Sequence, residues 1–333
     1  MKFFRDTLMI KTNIEQINIK DIDVRQKPYF LRFERPTNLL EDSIKAVGII
    51  NPPLLSASNS RLSIITGYGR ILASKNLGFS CILCQIVTEK DISYIDSLLI
   101  NLYDNLVSRG FNTVEKAMAI SRLESHLPKD EVIRKYMPAL GLSGDNHTFD
   151  LYLRIEKQLD NNMKRWLVND VISFKTLISM FKQNMSPEDI SLSGHFISRL
   201  KLNFNYQRQF IDILSDLSMT KGISVSKILV DPRLEDILED TQTNQPQKSR
   251  NVIDYLKKLR YPRLSDAEMK FKKKVRSLNL PAKVQIKAPP FFEAEGFRLE
   301  VNFRDGEELI SILKNMVGTR GLKDFCAPWE DNL

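Results

Sequence analysis

The sequence is poor in the residues that staple or metallate small proteins: three cysteines and three histidines are spread over 333 residues. Three cysteines make no disulfide framework. Cys81 and Cys84 have CxxC spacing, but no second CxxC completes a zinc site and Cys326 is remote. They fall in "SCILCQIV", which reads as a strand, where positions i and i+3 point to opposite faces. Both are expected as core cysteines. His126, His147 and His195 lie far apart and form no triad or ligand set visible in sequence. No run approaches the roughly 18 apolar residues of a membrane span, and "MKFFRDTLMIKTNIEQ" lacks the apolar stretch of a signal peptide. The expectation is a soluble, cytoplasmic protein with no membrane partner. No internal repeat is visible.

What is present is enough apolar residue for real cores, 42% of the chain, at a length that suits two or three domains. The net charge of +8 is unevenly placed. Between Lys248 and Arg276 eleven Lys or Arg stand against Asp254, Asp266 and Glu268, an excess equal to that of the whole chain. Such a field suits a polyanion such as DNA, and is equally what a solvated helix face would carry.

Periodicity divides the chain. Ile14–Val24 has alternating isoleucines and reads as a short strand, "TNLLEDSIKAVG" as a helix capped at Thr37 or Asn38 and stopped by Gly48, and "INPPLLSA" and "LSIIT" as strands around a turn at Ser58–Ser60. From Ser93 the pattern is helical. "NTVEKAMAISRLESHL" opens with a capping-box spacing, Asn112 and Glu115. "KDEVIRKYMPALGLSGDNHTFDLYLRIEKQL" reads as a helix, a glycine-marked break and a second helix with Phe149, Tyr152 and Ile155 on one face, the outline of a helix-turn-helix. "EDTQTNQPQKSR" reads as a linker, followed by a basic helix, the strands "AKVQIKAP" and "GFRLEVNF", and the helix "DGEELISILKNMVG". The expected class is α+β: a small mixed α/β domain over 1–92, a central all-α domain over 93–238, a linker over 239–250, and a small basic β-β-α domain over 251–333. So small a unit gains stability by pairing, which points to a homodimer.

"LSIITGYGRILASKNLG" changes from strand to helix at Gly67, Gly69 and Arg70. Glycines there make a tight turn. The free N–H groups of a helix start beside a guanidinium also make an anion site.

Several separated motifs, in order, resemble the ParB partition-protein family. "INIKDIDVRQKPYFLR" resembles its opening strand and NPYQPR-type box. "LEDSIKAVGIINPPLL" resembles the segment ending G-x-x-Q-P, with Asn51 at the glutamine. "IITGYGRILASKNLGFSCILCQIV" resembles the GERR box with its helix and next strand, and "DNLVSRGFNTVEKA" the ENLQR segment, aligning Asp104, Asn105, Phe111, Glu115 and Ala117. "LDNNMKRWLVNDVISFKTLISM" and "KGISVSKIL" resemble later helical segments.

The resemblance implies a ParB-like nucleotide-binding domain and a dimeric, CTP-dependent DNA clamp for partition, associated with the nucleoid and served by a partition ATPase. Carried over, Gly67, Tyr68, Gly69 and Arg70 form the phosphate loop. Thr66 and Asn51 lie near base or phosphates, Arg32 adds a phosphate contact, and Asp104 and Asn105 hold Mg²⁺, with Asp104 the catalytic acid. Hard Mg²⁺ suits such oxygen ligands. The implied DNA contacts are Asn146, His147, Thr148 and Asp150 at the entering end of the second helix, then Arg154, with Lys164 and Arg165 for phosphates.

The chain departs from the family at several of these positions. Tyr68 and Gly69 replace the Glu and first Arg of GERR, Asp104 replaces a Glu, and Ser108 takes the motif arginine's place with Arg109 one residue later. A lost cationic fork weakens triphosphate binding and a shorter carboxylate misplaces a metal or water. The expectation is therefore CTP binding with at most weak CTPase turnover. Sulfiredoxin chemistry needs a cysteine in this loop, and position 69 is glycine. A ParB-like nuclease would want clustered carboxylates, and Asp104 is the only acid near the loop. The runner-up is a DNA-binding regulator of the same fold that has lost nucleotide switching.

Overall fold

A computed structural model describes residues 11–25, 29–58, 61–292, 296–323 and 325. The fold is mixed α+β, and the chain divides into two compact units, Met1–Phe174 and Lys175–Leu333.

The first unit opens on a five-stranded sheet. Its strands are β1 (Asn13–Asn18), β2 (Ile22–Asp23), β3 (Leu54–Ser58), β4 (Arg61–Thr66) and β5 (Cys81–Thr88), in the order β1-β5-β3-β4-β2. β1 and β5 pair antiparallel, β5 and β3 parallel, β3 and β4 antiparallel, and β4 and β2 parallel. Successive strand residues face opposite sides, and both sides are covered: Leu55, Ile64, Ile82 and Cys84 pack with Ile71, while Leu54, Ile65 and Val87 pack with Ile92. Helix α1 (Asn38–Val47) and α2 (Tyr68–Asn76) fill the crossovers, and Gly48 ends α1 at φ +76°.

Two departures from the sequence reading have local causes. The Ile14–Val24 strand is broken by a 3₁₀ turn at Ile19–Asp21, where the Asn18 side chain accepts the Lys20 N–H. The Thr37 hydroxyl donates to Glu41 instead of capping backbone. Asn59 and Ser60 of the expected turn lie outside the described residues, as does Cys326. Cys84 is buried, whereas Cys81 is only half-buried.

Helices α3 (Tyr94–Ser108) and α4 (Thr113–Glu124) follow, and α4 carries the expected capping box between Asn112 and Glu115. A short run comprises α5 (Lys129–Glu131), a π-helical turn (Val132–Tyr136) and α6 (Met137–Ala139). It leads through Gly141, at φ +70°, to α7 (Asn146–Gln158) and α8 (Asn161–Val168). Phe149, Tyr152 and Ile155 are the buried face of α7, as their spacing predicts, and α7 packs on α4.

The second unit holds α9 (Phe174–Lys182), α10 (Pro187–Leu200), α11 (Phe204–Lys221), α12 (Val225–Leu229), α13 (Pro232–Glu239), α14 (Gln245–Arg260) and α15 (Pro262–Ser277). Its buried polar joints are Thr176 to Gln207 at 2.9 Å and the Asp189 carboxylate accepting the Ser226 N–H at 2.6 Å. The stretch read as a linker over 239–250 is half helix, because α14 starts at Gln245 with a capping box of Asn244 and Gln247 and buries Ser249. The single basic helix is two, separated at Tyr261–Pro262, and α15 buries none of its residues. β6 (Val284–Lys287) and β7 (Arg298–Val301) pair antiparallel, and α16 (Gly306–Val317) covers them with Ile312 and Met316.

Candidate functional site

β4 passes into α2 through one residue, Gly67, at φ +86°. A Cβ there would stand 2.8 Å from both Cα and Cβ of Pro53. Backbone angle and close approach therefore both require glycine. The junction sets the first turn of α2, whose leading N–H groups have no intrahelical acceptor, in the wall of a cleft of about 380 Å³. Arg32 and Asn51 come to this cleft from loops, and Asn101, Asp104, Asn105, Ser108 and Arg109 come from α3 and its end.

Of the residues expected at the phosphate site, Arg32, Asn51, Gly67, Tyr68, Gly69, Arg70, Asp104 and Asn105 all line the cleft. Thr66 does not: it is buried at the end of β4. Arg109, which the motif alignment placed one residue out of register, does line it.

Three arginines share the cleft. Arg70 donates through Nη1 to the carbonyl of Asn51, and its Nη2 is 3.5 Å from the Asp104 carboxylate. Burial lowers its pKa, with Asp104 pulling the other way. Arg32 donates through Nη2 to the carbonyls of Arg35 at 2.6 Å and Pro36 at 3.3 Å, and its pKa is lowered by burial and then by Arg109. Arg109 donates to Asn105 Oδ1 at 2.7 Å, to both Glu115 carboxylate oxygens at 2.9 Å and to the Leu31 carbonyl at 2.6 Å.

Glu115 is the hub beneath them, with no accessible side-chain surface. Beyond Arg109 it accepts from Arg35 at 2.7 Å, from the Phe33 N–H at 3.1 Å and from the Asn112 N–H at 3.0 Å. Burial would raise its pKa, but Arg35, the Asn112 amide, Arg109 and the Phe33 amide together hold it below the ordinary glutamate value. Sequence reading saw Glu115 as a capping-box acid and an aligned motif position. Arg35, eighty residues away, gave no sequence signal of the pairing.

Asp104 and Asn105, the residues expected to hold Mg²⁺, both line the cleft. An amide offers a metal only its oxygen, and Asn105 Oδ1 accepts from Arg109 while its Nδ2 donates to Asn101, which leaves that oxygen one lone pair. Among the described residues Asp104 is the one carboxylate lining the cleft. Among the described residues no group of three His, Cys, Asp or Glu could hold a metal ion.

The residues expected to touch DNA divide in the same way. Asn146, His147 and Asp150 are exposed at the start of α7, with Asp150 3.1 Å from Lys129. Thr148 is half-buried and donates its hydroxyl to Asp145 at 2.9 Å, while Arg154 lies 3.3 Å from Gln158. Arg165 is exposed and pairs with Glu34 at 3.0 Å. Lys164 is a correction. It is buried, and its ammonium donates to the carbonyl and carboxylate of Glu156 at 2.9 and 2.8 Å, so it presents no charge to a phosphate.

No protein-family model matches the sequence, and no curated protein matches it. Solved structures do. One is the C-terminally truncated chromosome-partitioning protein ParB from Caulobacter crescentus complexed with CTP-gamma-S, at 15% identity over 60% of this chain and 99% of that one, TM-score 0.23. A second is the truncated Caulobacter protein complexed to the centromeric parS site, at 14% over 64% and 95%, TM-score 0.30. A third is a Pnob8-like ParB-N domain, at 15% over 75% and 98%, TM-score 0.34. At TM-scores this low none of them assigns a function to the chain. No helix among the described residues is long and apolar enough to cross a membrane.

Proposed function

We propose that the chain is a ParB-like DNA-binding protein whose first unit binds a cytidine nucleoside triphosphate at the first turn of α2. One observation carries the reading: residues from four separated segments of the resembled motifs meet in one cleft, where three guanidiniums face a helix start and a single carboxylate. That is a set of charges suited to a triphosphate. In this reading Arg70 and Arg32 bind phosphate. Arg109 is a positioning residue held by Glu115 and in turn holds Asn105, and a metal ion arriving with the nucleotide meets Asp104 and the Asn105 oxygen.

The exposed start of α7 meets DNA, and the exposed basic helix α15 adds sequence-independent affinity. Two chains pair, and nucleotide and DNA binding are coupled, so that bound nucleotide favours a closed arrangement that traps DNA for partition. Coupling has a route inside the first unit: Glu115 ties the cleft to the start of α4, and α4 packs on α7.

A second reading, a DNA-binding regulator without the switch, is favoured by the partners Arg70 already has in Asn51 and Asp104. Calorimetric titration of CTP against ATP, GTP and UTP, with and without DNA, separates the two. Selective CTP binding that Arg70→Ala abolishes supports the first. Absence of binding by the parent, with DNA affinity intact in Arg70→Ala, supports the second.

A further inference from the structure

Gly67 and Gly69 look alike in sequence, but the structure uses them differently. Gly67 is demanded by its own backbone, whereas Gly69 has ordinary helical angles inside α2. Nothing in the backbone asks for glycine at 69, and alanine is the better residue inside a helix. The reason lies in what crosses it. A Cβ on Gly69 would stand 2.7 Å from Arg32 Nη1, 3.5 Å from its Cζ and 3.3 Å from Leu40 Cδ2. The Nη1 end of the guanidinium occupies the space where a side chain would begin.

Arg32 is held there. Its Nη2 is fixed by the carbonyls of Arg35 and Pro36, while Nη1 makes no hydrogen bond among the described residues. Arg70 and Arg109, by contrast, have both Nη groups engaged, with Asn51, Asp104, Glu115 and Leu31. Arg32 Nη1 is thus uncommitted among the described residues, as is Arg70 Nε, and it is Nη1 that stands against the helix turn whose N–H groups are unpaired.

We infer that Gly69 is the opening that admits the Arg32 guanidinium to the first turn of α2, making Arg32 the second phosphate-binding cation and Gly69 its positioning residue. The inference rests on the nucleotide reading above.

The test is a double-mutant cycle in the full chain, with CTP as probe: parent, Gly69→Ala, Arg32→Ala and both together. Gly69→Ala and Arg32→Ala should each weaken CTP roughly ten- to a hundredfold, the range of one charge-assisted contact. The double variant should be no weaker than Arg32→Ala alone. A Gly69→Ala protein within twofold of the parent, or two losses that multiply, overturns the inference while leaving the nucleotide reading standing.

If the parent binds no nucleotide, the nucleotide reading and the phosphate role of Arg32 fall together. The pairing of Gly69 with Arg32 is then read from thermal unfolding without ligand. Alanine at 69 should raise Tm in the Arg32→Ala background, where only the end of the Leu40 side chain has to give, and fail to raise it beside Arg32. Equal shifts in both backgrounds overturn the pairing as well.

Discussion

Replacing Glu115 with glutamine removes one charge and almost no volume, so its cost reads the hub and nothing else. Each Glu115 oxygen accepts from both an arginine and a backbone N–H. Whichever oxygen becomes an NH₂ group, a donor then faces donors. Breaking a buried pair from one side costs about 3–5 kcal/mol. The arginines are not wholly dry, with 28% and 19% of their side chains accessible for Arg35 and Arg109. Water can therefore recover part of their loss, and the expected cost is near the lower end, about 3 kcal/mol. Urea denaturation of the full chain followed by circular dichroism should show the transition of the first unit move to lower urea. Hydrogen exchange should accelerate at the amides of Phe33 and Asn112 in particular. The parent should show the matching pH dependence. Glu115 has a folded pKa below its unfolded one, so its stabilisation is complete above the ordinary glutamate value of about 4.3 and is lost as the pH falls through the lower folded value. Glu115→Gln should flatten that acid limb. A cost under about 1 kcal/mol, the range of an exposed pair, or an unchanged acid limb, would refute the hub.

Gly67→Ala should cost about 2 kcal/mol or more, since a Cβ adds left-handed strain to an overlap with Pro53 backbone, and a lowered Tm measures it. Burial pushes the Cys84 thiol up to about 11, so iodoacetamide at pH 8 should label it only when the protein is unfolded, as read by peptide mass spectrometry. For nonspecific DNA, Lys273→Ala and Arg276→Ala on exposed α15 should each lower the slope of log affinity against log salt by about 1. Lys164→Ala should leave that slope unchanged and instead lower stability, because its ammonium is buried against Glu156; a changed slope would return Lys164 to the DNA surface.

What could be read from sequence was local. The β-branched run into Gly67, the box of Asn112 and Glu115, and the buried face of α7 are each patterns within about a dozen residues, and each stands in the structure. The misreadings share a different character. The polar start of α14 looked like linker because its buried residues, Ser249, Val252, Ile253 and Leu256, begin only after the first turn. Lys164 looked like a surface cation because its partner, Glu156, sits on the preceding helix across a turn. The Arg35–Glu115 pair joins segments eighty residues apart, and no periodicity reports such a contact.

The cleft charges also constrain how any coupling could work. Arg35 and Arg109 are committed to Glu115, Arg70 leans on Asp104, and Arg32 Nη1 makes no hydrogen bond among the described residues. An entering phosphate gains Arg32 without breaking a contact, but it must compete with Asp104 for Arg70. It reaches Arg109 only by drawing it from Glu115. Binding at Arg32 alone leaves the joint at the start of α4 as it was, and so cannot be felt at α7. A ligand shifts that joint only by the difference in its affinity for the two arrangements, however tightly it binds. The substitution that separates binding from coupling is therefore Arg109→Lys. It keeps a cation near Glu115 but loses the planar fork that holds Asn105, Leu31 and Glu115 together. With nucleotide affinity largely kept and any effect of nucleotide on DNA binding lost, Arg109 is the transmitting group; with both kept, the route through α4 is wrong.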